Sequence, residues 1–159
     1  MGGPGSGRLR KIHNRRELVE DAYILDASAL MRAEIFKRGR RMTVVWDPET
    51  KKLGPTGFRV ELDVNCQNYD PSVVLRYRSP TEGRQPVATR VLLTTTVPYG
   101  GGVRWWFQCP GKACLRRSEK LYLPPNEHFF CCRHCHRLVY QSQMIHTMLP
   151  MTKSWHGWE

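Results

Sequence analysis

The sequence lacks any apolar run approaching the roughly 18 to 20 residues a helix needs to cross a bilayer, and its longest candidate stretches, such as "VLLTTTV", are of strand length. No membrane partner is therefore expected. The start, "MGGPGSGRLRK", carries basic residues with no apolar stretch behind them, so no secretory signal is expected, and a reducing cytoplasm is the expected location. Catalytic signatures are also missing. The histidines His128, His134 and His136 have no paired carboxylates or second-metal ligands beside them, the deaminase pattern H-x-E…P-C-x-x-C is not found, and no Ser-His-Asp arrangement has local context. A metal-dependent nuclease built on those histidines stays as the alternative that would make the chain an enzyme. The reading adopted is that it is not one.

Carboxylates are scarce as well, 14 Asp and Glu against 25 Lys and Arg in 159 residues, which leaves a formal charge of +11. The excess is segregated. Residues 1–41 carry 10 basic and 5 acidic groups, residues 42–102 carry 7 and 6, and residues 103–159 carry 8 and 3. Two basic ends around a nearly neutral middle suit a polyanion, because each neutralised phosphate releases counterions and adds sequence-independent affinity. A solvated face that only keeps the chain soluble is the competing reading of the same charges.

Patterning divides the chain into four parts. Residues 1–8 are too glycine-rich to pack, and residues 1–13 are expected to form a flexible basic arm. Residues 14–99 are expected to hold a helical segment followed by an antiparallel β meander. Leu18, Val19, Ala22 and Tyr23 recur at helical spacing, Asp26 or Ser28 is placed to cap "ASALMRAEIFKR", and Leu30, Ile35 and Phe36 are expected to pack on the sheet. The stretches "RMTVVW", "GFRVELDV", "SVVLRYR" and "VATRVLLTTTV" alternate with period two and are punctuated by Pro- and Gly-containing turns, predicting about four strands. In the second of them Phe58, Val60, Leu62 and Val64 should face the core while Arg59, Glu61 and Asp63 face water. "VPYGGG" (97–102) reads as a boundary before a compact unit at 100–143, and residues 144–159 read as an irregular C-terminal tail.

Five of the six cysteines fall between 109 and 135: Cys109 and Cys114 as C-x4-C, a 16-residue insert, then "CCRHC" with Cys131, Cys132 and Cys135. Two close pairs separated by a hairpin-length insert suit one tetrahedral Zn2+ ion. Cys132 and Cys135 have the preferred two-residue gap, so Cys109, Cys114, Cys132 and Cys135 are the expected ligands. Cys131, at the end of the expected strand "HFFC", is the spare, and His134 and His136 are possible replacements. Disulfide pairing is the competing reading, which the missing signal and the clustering argue against. Four thiolates close the coordination sphere, so the zinc should be structural rather than water-activating.

The combination "GGVRWWFQCPGKAC", "RRSEKLYLPP" and "FFCCRHCHRLVYQSQ" resembles a family of bacterial and phage-borne zinc-ribbon proteins. "MGGPGSGR" and "LDASALMRAEIF" are similar to segments of the same family. The resemblance implies a C-terminal zinc ribbon held by Cys109, Cys114, Cys132 and Cys135, and implies no reaction. The chain departs from the family pattern at Leu115, where glycine is usual, and after Ser142, where a basic helical tail is usual.

The expected fold class is mainly β, formally α+β: an N-terminal helical segment, an antiparallel meander and a four-cysteine zinc ribbon. The expected function is zinc-stabilised nucleic-acid binding of a phage or mobile-element type. Arg104, Arg116, Arg117, Lys120, Arg133 and Arg137 alternate with Trp105, Trp106, Tyr122 and Tyr140, combining cations for phosphates with rings for bases. Arg8, Arg10 and Lys11, with Arg15 and Arg16, add basic charge near the start. Strand alternation puts Val103, Trp105 and Phe107 on the core side and leaves Trp106 beside Arg104 as the stacking platform. DNA and RNA are not distinguished. The alternative is an adaptor that grips a protein partner such as a polymerase or recombinase, with the meander offering an edge strand; no small-molecule substrate is expected.

Overall fold

The computed structural model of the chain describes residues 16–38, 41–54, 56–66, 69–81 and 83–148. The expected basic arm, with Arg8, Arg10 and Lys11, lies outside these, as do residues 149–159. The described chain is mainly β and antiparallel.

Its first ordered segment departs from the helical expectation. After a single 3-10 turn at Val19–Asp21, residues Tyr23–Asp26 form strand β1. "YILD" is short and rich in β-formers, and burial on both faces decides the conformation. Asp26 then ends the strand and caps helix α1 (Ala27–Arg32), its carboxylate accepting from the N–H groups of Ser28 at 2.8 Å and Ala29 at 3.2 Å. A short helix α2 (Ile35–Arg38) follows, and Leu30, Ile35 and Phe36 enter the core as their spacing predicts.

The meander is β2 (Arg41–Trp46), β3 (Phe58–Asn65), β4 (Ser72–Arg78) and β5 (Pro86–Thr96), each paired antiparallel to the next. Alternation holds in β3: Val60, Leu62 and Val64 are buried and Phe58 half-buried, while Arg59 and Glu61 face water. The sheet does not stop at "VPYGGG". Strand β5 pairs with β6 (Arg104–Gln108), Leu93 opposite Phe107 and Thr96 opposite Arg104, and β6 pairs with β7 (Arg117–Ser118). The proline and three glycines therefore form the connection of a long hairpin within one six-stranded sheet, not a linker between separate units.

A second bond across the expected boundary is the ladder between β1 and β8 (Lys120–Leu123). Its two faces divide the interior. Tyr23, Leu25, Leu121 and Leu123 face the main core with Val60, Leu75, Phe107 and Phe130, whereas Tyr122 packs with Val19, Ala22, Leu138 and Ile24 in a smaller cluster beneath the cysteines. The segment before β1 is tied down too: Val19 N–H donates to the Val139 carbonyl at 3.0 Å and Val139 N–H to that of Glu17 at 3.2 Å. The cysteine-bearing segment thus shares its core with the meander. Beyond it, Gln141–Met148 forms helix α3, where the sequence reading fades into an irregular tail after 143. Both carboxylate oxygens of Glu20 lie 3.2 Å from the N–H of Gln141, anchoring the start of that helix by a residue far away in sequence.

Candidate metal centre

Strand β6 ends where the first turn begins, so Cys109 leaves the sheet buried and Cys114 returns beside it. The turn is closed by hydrogen bonds from Cys109 N–H to the Arg116 carbonyl at 2.9 Å and from Cys114 N–H to that of Gly111 at 3.0 Å. The second turn follows Cys131, whose backbone N–H and carbonyl both bond to Tyr122 of β8. This single bridge replaces the strand expected at "HFFC". It fixes Cys131 alongside β8 and leaves Cys132 and Cys135 to curl back, with His136 N–H donating to the Cys132 carbonyl at 3.3 Å.

The sulfurs of Cys109, Cys114, Cys132 and Cys135 all lie within 4.8 Å of one another, close enough to hold a metal ion. Two opposite edges, Cys109–Cys135 and Cys114–Cys132, are each 3.7 Å long. The edge of a tetrahedron with metal–sulfur bonds of about 2.3 Å is about 3.8 Å, which these two edges match. Backbone N–H groups face the cluster: that of Cys132 lies 3.2 Å and that of Gly111 3.4 Å from the sulfur of Cys109. Such donors spread thiolate charge and orient the ligands. Cys131 is not among these four; burial first, then the neighbouring Cys109 sulfur, pushes its thiol up to about 12.

Gly111 is a functional position that the spacing argument passes over. A Cβ built there would lie 2.8 Å from the Cys135 sulfur and 3.4 Å from that of Cys109. The glycine between Pro110 and Lys112 is the signal that could have found it, since it lets backbone approach the sulfurs this closely. Leu115, the departure from the glycine usual in the resembling family, has φ +48, the left-handed region that glycine favours. Its side chain is exposed, so the conformation is tolerated without crowding the core.

Comparison of the chain with protein-family models, with curated proteins and with solved structures finds no match. The resemblance to the zinc-ribbon family therefore rests on the quoted motifs alone.

The three histidines do not converge. The Nδ1 of His128 meets the hydroxyls of Ser79 at 2.9 Å and Thr81 at 3.0 Å, while Nε2 of His136 lies 3.1 Å from the Phe129 carbonyl. Among the described residues the four cysteines are the one cluster of metal-ligating side chains. Trp105 and Trp106 do point apart, as strand alternation predicts. Trp105 stacks on Phe36 at 5.1 Å against the core, and Trp106 turns outward. Two details differ from the expectation. Val103 is exposed rather than in the core, and Trp106 is covered, with Arg104 at 4.2 Å and Arg117 at 5.2 Å from its ring and its indole N–H donating to Thr96.

The expected cations around the cysteines fall into two groups. Arg104 is paired with Glu119 at 2.9 Å and Lys120 with Asp26 at 3.7 Å. Glu119 also accepts from the Ser28 hydroxyl, and this bond, with Arg104 beside it, holds its carboxyl below the usual value. Arg116, Arg133 and Arg137 form no ion pair among the described residues, and Arg133 lies over the Tyr140 ring at 5.2 Å. Two adjoining clefts of about 610 and 530 Å³ share Arg133 and His134. Arg116, Arg117, Lys120 and Tyr122 line the first, Arg16 and Arg137 the second, and Glu119 is the one carboxylate among their described lining residues.

Proposed function

We infer that the chain is a zinc-stabilised, non-enzymatic nucleic-acid-binding protein. For the metal, the support is the donor set. Soft thiolates in a closed tetrahedron suit Zn2+ and leave no open position for substrate, so the ion would supply folding energy rather than chemistry. Elemental analysis of purified protein should give one zinc per chain. One iron per chain, with its thiolate absorption in the visible, would replace zinc in this reading.

For the nucleic acid, one observation carries the reading: the paired clefts beside the cysteine turns are lined by Arg16, Arg116, Arg117, Arg133 and Arg137, besides the Asp26-paired Lys120, against a single, already engaged carboxylate among their described lining residues. Tyr122 and Tyr140 stand among these cations. A cationic groove that tracks phosphates, with rings at its side, suits a single strand better than a duplex. Binding to single-stranded DNA and RNA oligonucleotides should weaken steeply with salt, and Arg116→Gln and Arg133→Gln should each reduce the slope of log K against log salt by about 1. Absence of retention on either nucleic acid at low salt would favour the adaptor reading instead.

A further inference from the structure

Several charges on the outward face of the meander have partners. Asp63 pairs with Arg41 at 3.3 Å and with Arg76 at 3.4 Å, Glu61 lies opposite Arg76, and Arg90 donates to the Ser72 hydroxyl. One step beyond the last paired residues of β3 and β4, Val60 and Tyr77, the register sets Arg59 opposite Arg78. Like charges placed opposite each other on neighbouring strands are destabilising. Neither arginine forms an ion pair with a described carboxylate.

A third guanidinium is brought to the same place by a built loop. Ser79, 1% exposed, holds Thr81 at 2.8 Å and His128 at 2.9 Å through its hydroxyl, and its N–H donates to the Gln85 carbonyl. Within this clamp Arg84 takes φ +40, an unfavourable left-handed conformation for a residue with a side chain. Arg59, Arg78 and Arg84 together line a cleft of about 500 Å³ with no carboxylate among its described lining residues. Its walls are closely packed. Tyr23 and Phe58 stack at 4.4 Å, Pro48 and Pro80 also line it, and Gly57 has φ +135 with its Cβ position occupied by the Trp46 carbonyl.

This cleft shares no lining residue with the groove beside the cysteines. Between them lies a surface lined by Glu17, Asp21 and Glu49 against Arg16 and Lys51, which shares Pro48 with the arginine cleft and Arg16 with the groove.

We propose that the cleft of Arg59, Arg78 and Arg84 is a second, independent binding site, for a small ligand carrying a diphosphate or triphosphate group. Guanidinium forks pair with phosphoryl oxygens bidentately, and an anion of several charges relieves the Arg59–Arg78 repulsion. The volume lies within the range of nucleotide-sized pockets. The inference stands whether or not the groove binds nucleic acid.

The test is calorimetric titration of the full, metal-loaded chain with inorganic pyrophosphate and, in parallel, with a nucleoside diphosphate. The expected result is saturable one-to-one binding of pyrophosphate that weakens tenfold or more in Arg59→Gln and in Arg78→Gln and is unchanged in Arg116→Gln. Tighter binding of the nucleoside diphosphate identifies a nucleotide as the source of the phosphates, and equal binding identifies free polyphosphate. Without ligand, Arg59→Gln should melt at or above the temperature of the parent chain. Absence of saturable pyrophosphate binding, or the same loss of it in Arg116→Gln as in Arg59→Gln, would overturn the proposal. Oligonucleotide binding by the same variants reports on the groove separately.

Discussion

The guanidinium of Arg104 lies 4.2 Å from the centre of the Trp106 ring while pairing with Glu119 at 2.9 Å. Trp106 is therefore not a bare platform waiting for a base. A guanidinium held against an indole adds a second group that stacks on bases as rings do.

Truncating the two adjacent tryptophans should separate stability from binding. Trp105→Ala removes the ring stacked on Phe36 and should cost about 3 kcal/mol of stability. Trp106→Ala loses exposed cation–π contacts and should cost about 1 kcal/mol, yet weaken oligonucleotide binding about tenfold. Thermal melts and binding isotherms of both variants check this. Equal destabilisation with unchanged affinity would make both rings structural.

The ligand set predicts opposite outcomes for neighbouring cysteines. Cys132→Ala should lose the metal, whereas Cys131→Ala should keep one ion per chain, because Cys131 is held to β8 outside the cluster. Chelation of the parent chain should unfold residues 103–140. Because Phe107, Leu121, Leu123 and Phe130 belong to the main core, hydrogen exchange should also rise in β1 and in the meander strands they touch. Exchange confined to the two cysteine turns would contradict the shared core.

Leu115→Gly should stabilise the chain. The leucine is exposed and sits at φ +48, where glycine avoids a penalty of about 1 kcal/mol. For a chain of this size that corresponds to a rise in melting temperature of about 2–4 °C. Gly111→Ala should act the other way, lowering metal affinity, because the added methyl would meet the Cys135 sulfur.

Acid should expose the role of Glu119. The Ser28 hydroxyl bond, reinforced by Arg104, holds its carboxyl below the ordinary 4.5 in the folded chain. A folded-state value below the unfolded one means that its contribution is present above about pH 4.5 and is lost as pH falls through the folded value. Protonation of the thiolates also releases metal in acid, so the measurement is the difference between parent and Glu119→Gln melts. The two should differ at neutral pH and converge in acid; a constant difference would mean that Glu119 acts without its charge.

Several features were legible in the linear sequence because they are local. Alternation in "FRVELDV", the Asp26 cap and the cysteine spacing each depend on residues a few positions apart, whose relative directions follow from strand, helix or turn geometry. "YILD" misled the helical reading because its conformation is set by Leu121 and Leu123, about a hundred residues on. "VPYGGG" misled as a boundary because a hairpin connection and a linker have the same composition, and only the pairing of Leu93 with Phe107 distinguishes them.

The sequence by itself determined the mainly β character, the four cysteines and the excess of cations, since each is a matter of composition, period or spacing. Tertiary structure decided which cations are free to act. Arg104 and Lys120 are neutralised by Glu119 and Asp26, Arg116 and Arg133 line a groove, and Arg59 is set against Arg78. Charge acts through distance, and distances between residues far apart in the chain exist only once strands pair and cores close.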